Sequence, residues 1–250
     1  LPYFSMSLVH FLFALSTVFI FIKYSPFTKF QKILFIFGYY IFFEYNIIAK
    51  HYVLFVLFIF LIATLYKERF KKPLQYFLCV LLMAGTNVHG FVTTIILSLF
   101  YFYEYIIKQK MDLKPNHVFS IVMILLGFTL ITVLLWPPPD LGVGIGWNTD
   151  FSLSHIAPVL SSLINAFLPI SKIKINFWND RLIQGPNILM IMISIIILIF
   201  SLLFFLKKRS QMIVYLLPIF GLISIFFLKN TGNFKHHGLI YILFIFSLWV

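Results

Sequence analysis

Glu44, Asn46, Lys50 and His51 lie within eight residues of one another in "YYIFFEYNIIAKHYVLF" (39–55), inside a stretch that is otherwise apolar and aromatic. A carboxylate, an amide, an ammonium and an imidazole at that spacing can move a proton and hold an anion. Ionisable groups at membrane depth are costly and usually face a cavity or a partner. "GTNVHG" (85–90) adds Asn87 and His89, and "LKNTGNFKHHG" (228–238) adds Lys235, His236 and His237. Each motif also has a plainer reading. Glu44 and Lys50 can pair across a turn and cap two helices. Gly85 and Gly90 can break two helices, with Asn87 capping the second. Tyr52 and Lys235 can be interfacial residues. Two features favour a ligand. A helix beginning near Ile47 puts Lys50 in its first turn, where a cation opposes the macrodipole. A tight turn has no need of His89. At "FKHHG" the adjacent histidines diverge on a helix and no Cys or carboxylate follows at the next turn, so zinc fits poorly. Lys and His beside the open N–H groups of a helix start suit phosphate better.

The elements that must carry these groups are membrane helices. The chain is 62% hydrophobic and only 10% charged, against about 25% charged residues in a soluble domain. Lipid must therefore be the solvent for most of it. Nine apolar segments run over 4–22, 30–43, 47–66, 73–88, 91–107, 118–136, 188–206, 212–228 and 237–250. None alternates polar and apolar residues as barrel strands do. The expected fold is all-α, a polytopic integral membrane protein of about nine transmembrane or membrane-embedded helices in one membrane domain, 1–250. The second, fourth and fifth segments are short for a span. A long outer loop occupies 137–187, and within it 153–170 has the rough helical period of an interfacial amphipathic helix. The start at Leu1 and the stop inside an apolar run read as a piece of a longer protein. Cys79 is alone, so no intramolecular disulfide forms.

The net charge of +12 is sorted. Lys23, Lys29 and Lys32 form one cluster, and Lys67, Arg69, Lys71 and Lys72 a second. Lys108, Lys110 and Lys114 form a third, and Lys207, Lys208 and Arg209 a fourth. These loops alternate along the chain, and the positive-inside rule makes them cytoplasmic. This accounts for the basic balance without nucleic acid. Every motif named above then falls on the outer side, together with Asp140, Trp147, Asp150, Trp178 and Asp180 of the long loop.

"EYNIIAKHYVLF" resembles a stretch of the polytopic glycosyltransferases of the GT-C superfamily, in the bacterial group related to protein O-mannosyltransferases and the lipid A aminoarabinose transferase. In that group an outer turn carries a Glu, then Ala-Arg, then Tyr at the start of a membrane helix. Glu44, Ala49, Lys50 and Tyr52 occupy those positions here. "TNVHG" is similar to the Thr-His-type turn that follows, and "KHHG" to a late basic–aromatic pair. The resemblance implies transfer of a sugar from a polyprenyl-phosphate donor to an acceptor at the periplasmic face of a bacterial inner membrane. It implies substrate-binding roles for Lys50, Tyr52, His89, Lys235, His236 and His237. Glu44 would orient Lys50 or contact the acceptor or a metal, and a divalent metal ion is left open as a cofactor. Trp147 and Trp178 would cover sugar faces. The implied partners are membrane lipid and the lipid-linked sugar. Two departures stand out. Lys50 replaces an Arg, giving a point charge for a bidentate fork. The family's catalytic Asp belongs to an outer loop upstream of Leu1. The alternatives are a transporter or flippase of a lipid-linked or anionic solute, and a non-catalytic membrane scaffold. A transporter would carry functional polar groups near mid-membrane, and a scaffold would show no coupling among the outer residues.

Overall fold

The computed structural model describes residues 3–48, 51–110, 112, 114–136, 147–171, 188–229 and 231–250. Every described element is a helix: α1 (Tyr3–Tyr24), α2 (Lys29–Ile36), α3 (Tyr52–Leu65), α4 (Pro73–Ala84), α5 (Val88–Phe102), α6 (Pro115–Leu135), α7 (Leu153–Phe167), α8 (Ile188–Leu203), α9 (Arg209–Leu228) and α10 (Phe234–Trp249). Two short π-helical segments, Tyr40–Tyr45 and Tyr103–Lys108, join them. Four runs are long and apolar enough to cross a bilayer: Phe4–Tyr24, Val88–Lys108, Pro115–Leu134 and Arg209–Leu228. The short fifth segment of the sequence reading becomes full length because the π-helical turn continues α5. The second is interrupted, α2 ending at Ile36 before the π-helical turn begins. About half of 137–187, the stretch expected to be an outer loop, lies outside the described residues, and its central part folds as α7.

Local signals explain the helix ends. Thr28 and Gln31 form a reciprocal cap at the start of α2: the Thr28 hydroxyl accepts from the Gln31 backbone and the Gln31 side chain accepts from the Thr28 backbone. Pro73 and Pro115 open α4 and α6, where the missing N–H costs nothing.

The chain divides into two compact units, one of residues 1–142 with 249–250 and the other of 143–248. In the first, α1 packs on α3, α3 on α4, and α4 on α5 and α6. The middle of α3 is apolar on every side and mostly buried, with Phe55, Val56, Ile59, Phe60 and Ile62 fully covered and Leu54, Phe58 and Leu61 half-buried along one face. Phe60 meets Phe21 at 5.2 Å and Phe35 at 5.9 Å. By contrast α1 and α6 turn Phe4, Phe11, Phe19, Leu126, Leu130 and Val133 outward, as lipid-facing helices do. In the second unit α7 packs on α8 and α9. It buries Ala157, Val159 and every residue of 161–166, the polar Ser161, Ser162 and Asn165 among them, so its second half is packed on all sides. Phe244 of α10 meets Phe204, Phe205 and Tyr215 at 5.6–5.7 Å.

Candidate functional site

Glu44 sits in the π-helical turn and is 1% exposed. The wider winding of "YIFFEY" places it amid tyrosines. Tyr39 donates its hydroxyl to Glu44 Oε2 at 3.3 Å. Tyr45 and Tyr52 also feel the carboxylate's field. The Tyr40 and Tyr45 rings stack at 6.0 Å, Tyr45 and Tyr52 at 6.3 Å. Tyr52 opens α3 and is buried, with the His51 ring 4.4 Å away. The belt reading of Tyr52 therefore gives way to a packed position beside Glu44. Across from this turn, His10 of α1 donates Nε2–H to the Asn46 carbonyl at 3.0 Å. Lys50, to which the resemblance gives the central anion contact, lies outside the described residues.

The second motif occupies the α4–α5 turn, at the same end of this unit. Asn87 caps α5, its Oδ1 accepting from the Gly90 backbone at 2.8 Å. Gly90 is not the helix breaker expected from the sequence. It lies inside α5, and a Cβ there would come within 2.4 Å of the Met83 carbonyl oxygen and 2.8 Å of Thr86 Oγ1. The residue is small because two helices approach closely. His89 follows the cap on the first turn of α5 and is half-buried.

The third motif belongs to the second unit. His237 is fully buried and donates Nε2–H to the Thr231 carbonyl at 2.8 Å. The Asn233 backbone N–H donates to His236 Nδ1 at 3.1 Å. Both imidazoles thus fold residues 231–233 back onto the start of α10. Gly232 permits the turn with φ +76°, a left-handed conformation, its missing Cβ leaving room for the His237 ring. These bonds fix the chemistry available. Neutral His237 offers Nδ1 as an acceptor, so it contacts an anion only when protonated. Neutral His236 carries its proton on Nε2 and is a donor. Lys235, half-buried between Phe234 and His236, supplies the charge.

Further polar groups are engaged elsewhere in each unit. Arg69 and Glu104, counted in the sequence only as topology charges, form a buried ion pair at the opposite end of the first unit. Arg69 Nη1 also donates to the Tyr66 carbonyl at 2.5 Å, and its guanidinium lies 3.8 Å from the centre of the Tyr66 ring. Lys108 adds a second cation to Glu104 at 3.1 Å. The four-residue spacing of Glu104 and Lys108 was the available signal. In the second unit His155 donates Nε2–H to the Phe227 carbonyl at 2.8 Å and accepts from the Asn148 amide at 3.2 Å. Trp147 lies under Lys229, whose ammonium is 4.0 Å from the ring centre. Asp150 turns its carboxylate onto the Ser152 backbone N–H and hydroxyl, which hold its pKa below the ordinary carboxylate value. Asp140, Trp178 and Asp180 lie outside the described residues. Among the described residues no group of three His, Cys, Asp or Glu side chains could hold a metal ion.

No protein-family model, curated protein or solved structure matches the chain.

Proposed function

We propose that this chain belongs to a membrane glycosyltransferase that moves a sugar from a polyprenyl-phosphate donor to an acceptor hydroxyl at the periplasmic face of a bacterial inner membrane. The observation that carries the reading is Glu44, a carboxylate buried among tyrosines at the end of the first unit away from Arg69 and the lysines beside it. Further support comes from the placement of charge. Among the described residues the buried Glu, Arg and His side chains are Glu44, Arg69, Glu104, His117 and His237. All lie at helix ends or turns, which suits chemistry at a membrane face better than a transport path through mid-membrane.

In the reaction, the acceptor oxygen bonds to the anomeric carbon as the bond from that carbon to the phosphate oxygen breaks. The electron pair leaves with the lipid phosphate, and the acceptor proton passes to a carboxylate base. By the resemblance that base is an outer-loop Asp. Lys50 and His89 stabilise charge on the departing phosphate. In the second unit Lys235 and His236, and His237 when protonated, offer cationic or N–H groups of the kind an anion takes. Tyr52 positions the ligand beside Glu44, which orients Lys50 or contacts the acceptor.

The test is transfer from synthetic polyprenyl-phosphate sugars in membranes carrying the full-length protein. Lys50→Ala should abolish transfer while folding and abundance persist. Normal transfer by that variant would remove Lys50 from the site. No transfer by the unmodified protein from any donor offered would sink the reading.

A further inference from the structure

At the end of the first unit opposite Glu44, a cavity of about 560 Å³ opens between the α3–α4 and α5–α6 connections. Lys67, Lys71, Lys114, Gln109, Asn116 and His117 supply its polar lining, with Phe70 and Pro73 as apolar wall. None of the three lysines makes an ion pair among the described residues. The carboxylates nearby are already engaged, Glu68 by Lys72 and Glu104 by Arg69 and Lys108. The exposed Asp112 pairs with no described cation.

His117 gives the cavity its polar floor. It is 3% exposed and stacks on Tyr105 at 4.2 Å. Tyr105 donates its single hydroxyl proton to the Asp112 carbonyl at 2.8 Å. The 3.5 Å contact between that hydroxyl and His117 Nδ1 is at the limit of a hydrogen bond. The Phe70 backbone also approaches the ring, and no side chain hydrogen-bonds Nε2. The start of α6 also lacks a side-chain cap, Lys114 being the N-cap. Its open Asn116 N–H adds positive potential to the same cavity.

We propose that this cavity binds a phosphate group. The phosphate oxygens meet Lys67, Lys71, Lys114 and the α6 N-terminus, over the polar floor of His117. Two sources share that chemistry, the headgroup of an anionic lipid and a soluble phosphate. The cavity is on the lysine-rich end, which the positive-inside rule turns toward the cytoplasm, where basic pockets between helices hold lipid headgroups. The site is independent of the glycosyl-transfer reading.

The experiment uses the full chain, delipidated in neutral detergent. One arm titrates phosphatidylglycerol diluted in phosphatidylcholine micelles, the other inorganic phosphate, and both are read by native mass spectrometry and by the shift in thermal unfolding. Saturable one-to-one binding in either arm is expected. Changing Lys67, Lys71 and Lys114 together to Gln should weaken it at least tenfold. Changing Lys207, Lys208 and Arg209 to Gln removes the same charge elsewhere and should leave it within twofold. Saturation in the lipid arm alone identifies a headgroup site, and in the phosphate arm alone a soluble ligand. If the triple variant misfolds, exposed Lys114→Gln is used alone, with a threefold or greater loss expected. Binding that fails to saturate in both arms overturns the proposal. So does equal weakening by the two triple variants, or no loss with either the pocket triple or Lys114→Gln.

Discussion

The first unit buries two glutamates at opposite ends of α3, and their neighbours differ in kind. Glu104 is clamped by Arg69 and Lys108, with the guanidinium covered by the Tyr66 and Phe70 rings. Glu44 is approached by the Tyr39 hydroxyl and lies in a cluster of tyrosine rings. A carboxylate closed between two cations holds helices in register and has little left to give a ligand. The described surroundings of Glu44 are phenols rather than cations, so its environment is polar and aromatic. Burial alone does not mark a site, and the identity of the surrounding groups decides what each acid can do.

The comparison breaks most directly on function. Glu44→Gln should lower sugar transfer at least about 100-fold, the scale of a lost acid–base or orienting carboxylate, with unfolding temperature little changed. Glu104→Gln should leave transfer per folded molecule intact. The reverse pattern, measured on the same membranes, would exchange the two roles. The next effect is on stability. Arg69→Ala leaves the Glu104 charge buried with one exposed partner and should cost about 3–5 kcal/mol, while Arg69→Met with Glu104→Leu should recover most of it. Thermal unfolding in detergent reads both. Gly90→Ala drives a methyl into the Met83 carbonyl and should cost about 1–3 kcal/mol, distorting the turn that carries His89. Asn87→Ala removes one cap and should cost about 1 kcal/mol.

The smallest effect is acid-dependent. Asp150 has its pKa lowered by Ser152 in the folded state, so its contribution is complete above the unfolded carboxylate value near about 4 and fades as pH falls through the lower folded value. Asp150→Asn should flatten that acid limb of stability and alter little at neutral pH. A steeper limb in the variant would contradict the assignment.

The sequence made the helices readable because lipid-facing and core helices are both apolar without interruption, and the breaks carry Lys, Pro and Gly. Asn87 was legible as a cap from its place before "VHG". Three things were not. Arg69 and Glu104 are 35 residues apart and look like two ordinary loop charges, since pairing across a fold leaves no local trace. His236 and His237 read as an anion site, and composition cannot show that one nitrogen of each is committed to the 231–233 turn. Gly90 reads as a breaker until the neighbouring helix is seen, because glycine serves bends and close approaches alike.

Both buried glutamates ride on π-helical winding, Glu44 in Tyr40–Tyr45 and Glu104 in Tyr103–Lys108. Such a turn amounts to one residue too many for regular α-winding. Each residue of an α-helix advances the facing direction by about 100°. Removing a residue from either segment would restore regular winding and turn the side chains of that turn to new directions. Glu44 would lose Tyr39, or Glu104 would lose Arg69. Among sequences descended from the same ancestor, these two hexamers should therefore resist changes of length as well as replacement of their buried glutamates.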